Sequence, residues 1–299
     1  MRDIRELLKG AYDLHIHLGP SVIPRSIDMI DALAEADACG MAGLVAKDHQ
    51  TPTTTAAILT NTHHKGPNGC EVFSSIVLNS FVGGLNPDAL NVAIALGARF
   101  VWLPTISSEN HDVQHKKHGL WFPSSTVKER PEHPKQYIYL LDESGKPTRA
   151  LRTILEIVAD TPQLVLCTGH GTLEEVDAAI TLALELGCTK IIATHPGYMI
   201  GADHATMRDW ASKGVFIDIG VGTCDPTLPH KLGTVEDAVG IIRAVGSEHM
   251  VLTSDLGQKV NPKPVPGMIG FIGQLMEHGV TENEIVNMIR INPGKLLQA

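Results

Sequence analysis

A repeated pattern of helix, glycine and short apolar run is the feature that most limits how this 299-residue chain can fold. A glycine just beyond a helix adopts the left-handed conformation without steric penalty and so marks the end of the helix. The apolar runs that follow are rich in Val, Ile, Leu and Phe with little alternation, which is typical of parallel strands covered on both faces. The pattern occurs at residues 35–47, 93–104, 183–195, 210–220 and 242–255.

Three further apolar runs bring the number of predicted strands to eight. They are "AYDLHIH" (11–17), "EVFSSIVL" (71–78) and "QLVLCTGH" (163–170). Eight parallel strands with helices between them are the composition of a (β/α)8 barrel, and a doubly wound open sheet is the alternative. We therefore expect an α/β protein with a (β/α)8 TIM barrel that forms one domain over residues 1–299.

Residues 105–147 interrupt this pattern with a polar, proline-bearing stretch. Within it, "YIYLLDESGKPT" predicts a small hairpin that turns at Glu143, Ser144 and Gly145. Because the stretch follows the fourth predicted strand, it lies on the C-terminal face of a barrel, where active sites lie. We expect it to be either a lid or flap over the substrate or a contact between subunits of a homo-oligomer.

Composition and charge exclude several classes of protein. The formal net charge of −9 and the lack of a Lys/Arg-rich face argue against a nucleic-acid partner. The longest apolar runs fall far short of the roughly 20 residues of a membrane-spanning helix. The N-terminal "MRDIRELLKG" lacks the apolar segment of a signal peptide, and five cysteines without a CxxC spacing predict reduced thiols. We expect a cytoplasmic protein that acts on a small molecule.

Two histidines one residue apart end the first predicted strand, in "YDLHIHLGP" (12–20). Side chains at positions i and i+2 of a strand share a face, so we expect His15 and His17 to lie together with Asp13 behind them. Two imidazoles so placed can bind one divalent ion. A single pair is a weak signal among 15 histidines, so further ligands have to come from other strands.

Other predicted strands also end in residues with ligand chemistry. The C-terminal ends of all strands of a barrel meet at the same mouth, so we expect these side chains to converge there with His15 and His17. They are Lys47 and His49 after strand 2, His170 after strand 5, His195 after strand 6 and Asp255 after strand 8.

This ordered set of residues resembles the metal-dependent amidohydrolase superfamily. The closing "INPGKLLQ" (291–298) is similar to the Asn-Pro-containing helix that ends many members. The stretch "SDLGQ…NPKPVPG" (254–267) resembles an uncharacterised branch of that superfamily. The resemblance implies a hydrolase of a small amide, cyclic amide or lactone that uses a metal-activated water. Zinc is the expected ion, with Mn, Fe or Co as alternatives.

The fourth strand departs from the pattern of this superfamily. Many binuclear members carry a carboxylated lysine or a glutamate there, whereas this strand reads "RFVWLPT". The resemblance implies that Lys47 replaces it as a carbamate and that one or two ions are held. The implied ligands are His15, His17, Lys47, His170, His195 and Asp255. In the alternative, a single ion is held by His15, His17, His170 and Asp255. Lys47 then binds an anionic group of the substrate.

The resemblance also implies individual roles. Asp255 would accept the proton of the attacking water. If His195 is not itself a ligand, it would act as a catalytic base or polarise the carbonyl. Asp13 is expected to orient a ligand histidine, while Arg25 and His49 are expected to contact the substrate.

Three other functions stay open at this point. A non-oxidative decarboxylase would use a closely similar set of residues with one metal. A phosphoesterase would need more cationic side chains at the mouth than Lys47 and Arg25 supply. A binding barrel without catalysis would be expected to have lost some of the ligand positions.

Overall fold

The computed structural model describes residues 3–120, 135–229 and 231–297. Within these ranges, parallel strands alternate with helices as the glycine-punctuated pattern predicts. The third strand runs in two segments that are separated at Ser74. The strands are β1 (Tyr12–His17), β2 (Gly43–Lys47), β3 (Glu71–Phe73 and Ser75–Val77), β4 (Phe100–Trp102), β5 (Val165–Cys167), β6 (Ile191–Ala193), β7 (Phe216–Gly220) and β8 (Met250–Thr253).

The strands follow one another around a closed barrel. Each strand from β1 to β8 pairs in parallel with its neighbours in chain order. The first and last strands then meet, because Ile16 bridges Leu256 in parallel. The Asp255 amide donates to the His15 carbonyl and the His17 amide to the Leu256 carbonyl, each at 2.8 Å. This closure confirms the predicted (β/α)8 barrel and excludes the open sheet.

Helices connect the strands along the outside of the barrel. Thr172 and Glu175 form a capping box at the start of one of them, α7. The α-helices are α1 (Ile4–Leu7), α2 (Met29–Ala38), α3 (Thr54–His63), α4 (Pro87–Ala95), α5 (Glu109–Lys117), α6 (Arg149–Ala159), α7 (Leu173–Glu185), α8 (His204–Ser212), α9 (Val221–Cys224), α10 (Val235–Val245), α11 (Pro264–Glu277), α12 (Glu282–Val286) and α13 (Asn292–Leu297). In the described ranges, none of them combines the length and apolarity needed to cross a membrane.

Side chains fill the inside of the barrel below its C-terminal mouth. The last helix closes the opposite end, where Leu296 and Leu297 of α13 join the interior cluster. Asn292 holds that helix, because its amide donates to the carbonyls of Ser247 and Met250. The remainder of the interior cluster is Leu14, Val45, Val77, Phe100, Trp102, Val165, Cys167, Ile192 and Val251. This filled interior leaves the C-terminal mouth as the place for a ligand.

The predicted insertion lies between β4 and β5 and begins with α5. A tight antiparallel turn forms within it, since Leu141 bridges Pro147 and the Asp142 amide donates to the Lys146 carbonyl at 2.8 Å. Gly145 supplies the positive φ of +77° at the turn. Residues 121–134 of the predicted insertion lie outside the described residues.

Candidate metal centre

Four elements bring nitrogen and oxygen ligand atoms together at the mouth of the barrel. The His15 Nε2 atom of β1 lies 2.9 Å from Lys47 Nζ of β2 and 3.2 Å from Asp255 Oδ1, just after β8. The same carboxylate oxygen lies 3.0 Å from His17 Nε2. His195, after β6, places Nε2 3.5 Å from Asp255 Oδ2. The convergence predicted for these five residues is therefore present.

Two compact groups of ligand atoms emerge from this cluster. His15, His17 and Asp255 form one, and His15, His195 and Asp218 form the other, with all ligand atoms of each group within 4.8 Å of one another. His170 belongs to neither group. Its ring lies beside His195, with 5.6 Å between the ring centroids. The structure thus gathers five of the six predicted ligands tightly and places the sixth next to them.

Asp218 is a site residue that the sequence pattern did not lead us to predict. It lies on β7 with Oδ2 3.4 Å from His195 Nδ1, and its Oδ1 accepts a hydrogen bond from Thr253 Oγ1 at 2.7 Å. Burial raises the pKa of this carboxyl group. A single carboxylate within the apolar run "VFIDIG" was the signal that could have revealed it.

Asp13, which we expect to orient a ligand histidine, contacts the backbone of one. Its Oδ1 accepts hydrogen bonds from the backbone amides of His15, at 3.3 Å, and Ser254, at 2.9 Å. The pairing of β1 with β2 shifts between Asp13 and Ile16, and such an irregularity changes the direction of the side chains before it. Asp13 therefore ties the backbone of β1 to the segment after β8.

Both His195 and Asp255 have an unusual backbone conformation. Their φ angles are +49° and +48°, and among the described residues they are the non-glycine positions in the left-handed region. Residues held there cluster at functional sites, because the surrounding structure has to compensate for the strain. The Asp255 segment is held by hydrogen bonds through its own amide and from Gln258 Nε2 to its carbonyl, both at 2.8 Å.

Burial sets the protonation of this cluster. It lowers the pKa of His15 and of His170 well below the usual histidine range and that of His17 to about 4, so these rings are neutral. Burial also lowers the pKa of Lys47 to about 8. Burial raises the pKa of the Asp255 carboxyl group. The electrostatic interaction with His195 and the hydrogen bond from His17 lower that pKa by more, and bring it to about 2. Neutral imidazoles and an ionised carboxylate are the forms that bind metal ions.

The donor set fits a divalent cation. His15 Nε2 faces both the Lys47 amino group and the Asp255 carboxylate, and a single ring nitrogen cannot accept from one and donate to the other. His170 Nε2 is buried and has no hydrogen-bond partner among the described residues. Buried polar atoms without partners are rare in native proteins, and a bound ion is one of the explanations for them.

His49 lies at the edge of the same cluster and is oriented by a polar network. Asn79 Oδ1 accepts from the backbone amides of Thr105 and Ser107, so its Nδ2 is the atom that donates to Thr105 Oγ1 at 2.8 Å. The Thr105 hydroxyl therefore has its own hydrogen available for His49 Nδ1, 3.0 Å away. When Thr105 donates this hydrogen, the neutral His49 ring carries its own proton on Nε2.

Arg25 forms a buried ion pair with Asp48 at the end of β2. Its Nη2 lies 3.3 Å from Asp48 Oδ1, and its side chain is 4% exposed. Asp48 also accepts a hydrogen bond from Ser21 Oγ at 2.6 Å. The structure thus places Arg25 near the cluster but engages its guanidinium with Asp48, and contact with a substrate stays a prediction.

An open cavity of about 710 Å³, its mouth included, lies over the cluster. Its floor is formed by His49 and five of the six predicted ligands, which are His17, Lys47, His170, His195 and Asp255. The rest of its described wall combines imidazole, amide, hydroxyl and apolar groups from α5, the residues just after it and the segments that follow β6, β7 and β8. These residues are His111, His115, Leu120, Met199, Gly222, Thr223, Leu232, Gln258 and Asn261.

Solved structures of several hydrolases share this fold. An amidohydrolase from Pseudomonas aeruginosa is similar with a TM-score of 0.60 at 10% identity, over 98% of this chain and 97% of that chain. An organophosphorus hydrolase from Deinococcus radiodurans gives 0.60 at 14%, over 98% and 94%. A putative 2-pyrone-4,6-dicarboxylic acid hydrolase from Pseudomonas putida gives 0.57 at 14%, over 96% and 97%. At these identities the likeness establishes the fold alone, which is the expected (β/α)8 barrel.

Comparison by sequence gives a family without an assigned activity. Residues 10–218 match the model of a family described as "Family of unknown function (DUF6282)". Among the curated proteins, no sequence matches the chain. The chemistry therefore has to be inferred from the site.

Proposed function

We propose that this chain, which belongs to the family of unknown function DUF6282, is a metal-dependent hydrolase of a small amide, cyclic amide or lactone. The observation that carries the proposal is the convergence of His15, His17, Lys47, His195 and Asp255 at the barrel mouth, with ligand atoms 2.9 to 3.5 Å apart. The hydrolases of similar fold support a hydrolytic reaction, since their printed names span an amidohydrolase, an organophosphorus hydrolase and a putative pyrone hydrolase.

We assign the predicted ligands to two ion positions. One divalent ion would be held by His15, His17 and Asp255, and a second by His170 and His195. Lys47 would serve both as a carbamate, formed when its neutral amine adds to carbon dioxide and releases one proton. When bound, a divalent ion supplies Lewis acidity, which polarises a carbonyl group and lowers the pKa of water from 15.7 towards about 7.

Proton transfer falls to Asp255. Its carboxylate is ionised, since its pKa of about 2 lies far below neutral pH, and three imidazole nitrogens lie within 3.5 Å of its oxygens. It can accept a proton from the attacking water and pass it to the leaving nitrogen or oxygen of the substrate. General acid–base transfer of this kind contributes roughly 10²–10⁴-fold to a rate.

The remaining residues of the cavity wall would bind the substrate. With Thr105 donating to its Nδ1, the His49 ring would carry its proton on Nε2 and donate a hydrogen bond from there to an oxygen of the substrate. Gln258 and Asn261 add amide groups, while Leu120, Met199 and Leu232 make part of the wall apolar. A volume of about 710 Å³ falls within the range of about 300–1,000 Å³ that is usual for sites of small molecules.

The proposal is tested by metal analysis combined with a substrate screen. Protein purified without chelators should contain about one or two divalent ions per chain, and His17→Ala should contain fewer. A panel of lactones, cyclic amides and acyl amino acids should include a substrate whose hydrolysis stops when the metal is removed and resumes when zinc or manganese is added. His204→Ala, an exposed histidine on α8, is the control and should match the wild type.

Two outcomes would contradict this function. Wild-type protein that contains no metal, or whose activity is indifferent to chelation, would exclude a metal-dependent reaction. Release of carbon dioxide from a carboxylic acid without incorporation of oxygen from ¹⁸O-labelled water would point to a decarboxylase instead.

A further inference from the structure

The segment that follows β4 holds the backbone of His170 on both sides. The His170 amide donates to the Pro104 carbonyl at 2.9 Å. The His170 carbonyl accepts from Ser108 Oγ at 2.9 Å and from Asn110 Nδ2 at 3.1 Å. Asn110 also donates to the Met199 carbonyl at 2.8 Å, so α5 is tied to the loop after β6 as well. The start of the insertion is thus a fixed part of the site wall.

The same segment contacts the ring of His170. His111, on the first turn of α5, places its Nδ1 atom 2.8 Å from His170 Nδ1. The two rings are nearly parallel, with 12° between their planes, and both side chains are buried. At this distance one of the two nitrogens carries a hydrogen and the other accepts it.

The direction of this hydrogen bond follows from the other nitrogen of His170. That atom, Nε2, is buried without a partner among the described residues, beside the ring of His195. A neutral imidazole that binds an ion through Nε2 keeps its lone pair there and carries its hydrogen on Nδ1. His170 Nδ1 is then the donor and His111 Nδ1 the acceptor, which leaves the proton of His111 on Nε2.

We propose that His111 is a positioning residue of the metal centre. It fixes the ring and the tautomer of His170, so that the Nε2 lone pair of His170 faces the second ion. This inference rests on the proposed function, because it takes His170 to be a metal ligand. It also assigns a role to the start of the insertion, since α5 supplies the orienting partner that a carboxylate or a backbone carbonyl provides for ligand histidines in other metal sites.

The experiment measures the affinity of the full chain for zinc. The wild type and each variant are titrated with Zn²⁺ against a chromophoric chelator. In His111→Phe, a ring of similar shape removes the acceptor, and we expect the weaker of the measured affinities to fall by about 10–100-fold. In His111→Asn, the side-chain oxygen stands close to the position of Nδ1, so affinity should stay near the wild-type value. His118→Ala, an exposed histidine at the end of α5, is the control.

A second measurement tests the tautomer of His170 even if His111→Phe fails to fold. In zinc-loaded wild type, nitrogen-15 spectra of the imidazoles should show His170 protonated at Nδ1, with the signal assigned by its loss in His170→Gln. A folded His111→Phe with wild-type affinity for every ion would overturn the role of His111 alone. A His170 ring protonated at Nε2 would overturn His170 as a ligand and the role of His111 with it, but not the metal site of His15, His17 and Asp255. Wild-type protein that binds no zinc would overturn the proposed function and this inference with it.

Discussion

Two substitutions of Asp255 test the role of its carboxylate separately from the strain in its backbone. Its φ of +48° lies in the left-handed region, where most side chains are disfavoured but asparagine and aspartate are tolerated. Asp255→Asn therefore removes the charge and keeps the backbone preference. Asp255→Ala removes the charge and also introduces the conformational cost.

The expected magnitudes follow from the structure. A left-handed conformation costs an ordinary residue about 1–2 kcal/mol, so the metal-free Ala variant should be less stable than the metal-free Asn variant by about 1 kcal/mol. For a chain of this length that difference lowers the melting temperature by about 2 °C. Both variants lose the carboxylate that lies 3.0 Å from His17 Nε2 and 3.2 Å from His15 Nε2. Both should therefore lose the ion held there and at least about 100-fold in turnover.

The assay combines chemical denaturation of the chelator-treated proteins with metal analysis of the untreated ones. Comparing the two variants with each other cancels the loss of charge, which they share. Equal stability of the Asn and Ala variants would refute the argument from backbone strain. Wild-type metal content and turnover in Asp255→Asn would refute the roles of Asp255 as ligand and proton acceptor.

Three further predictions address the neighbours of this residue. Lys47→Ala should retain one ion of two and recover activity with short carboxylic acids; unchanged metal content and activity would exclude a carbamate bridge. Thr105→Val should destabilise the fold by about 1–3 kcal/mol, because a buried amide of Asn79 loses its acceptor, and nitrogen-15 spectra should no longer show His49 protonated at Nε2 alone. Burial raises the pKa of Asp13 from 3.8 to about 7, so the folded chain retains a proton that the unfolded chain releases. Between about pH 4 and 7 the free energy of unfolding of metal-free wild type should therefore fall by about 4 kcal/mol relative to Asp13→Asn, and a pH-independent difference would contradict this.

Much of the fold and the location of the site were predictable from local patterns. A glycine at the end of a helix and an apolar run soon after it, found at five places, are properties of short segments, so they can be recognised in the sequence without knowledge of the packing. Given a barrel, the strand ends must meet, and the positions of His15, His17, Lys47, His195 and Asp255 follow from chain order alone.

The finer geometry of the site could not be obtained in this way. Asp13 bonds to the backbone amides of His15 and Ser254, beside a shift of one residue in the pairing of β1 and β2, and no local pattern marks such an irregularity. Asp218 was not predicted because it lies within an apolar run rather than at the end of one. The second ligand group also shows that a carboxylate on β7 comes within reach of His195, although 23 residues separate the two in sequence.

The sequence by itself determined the barrel, the face on which the site lies and most of the residues that converge there, because each depends on short-range periodicity and on the order of elements. Only the tertiary structure decided which atoms touch. His111 meets His170 across 59 residues, and the network that orients His49 joins it to Thr105 across 56. Hydrogen bonds form only within a few tenths of an ångström and at set angles, and those distances are fixed when the helices and loops pack around the closed barrel.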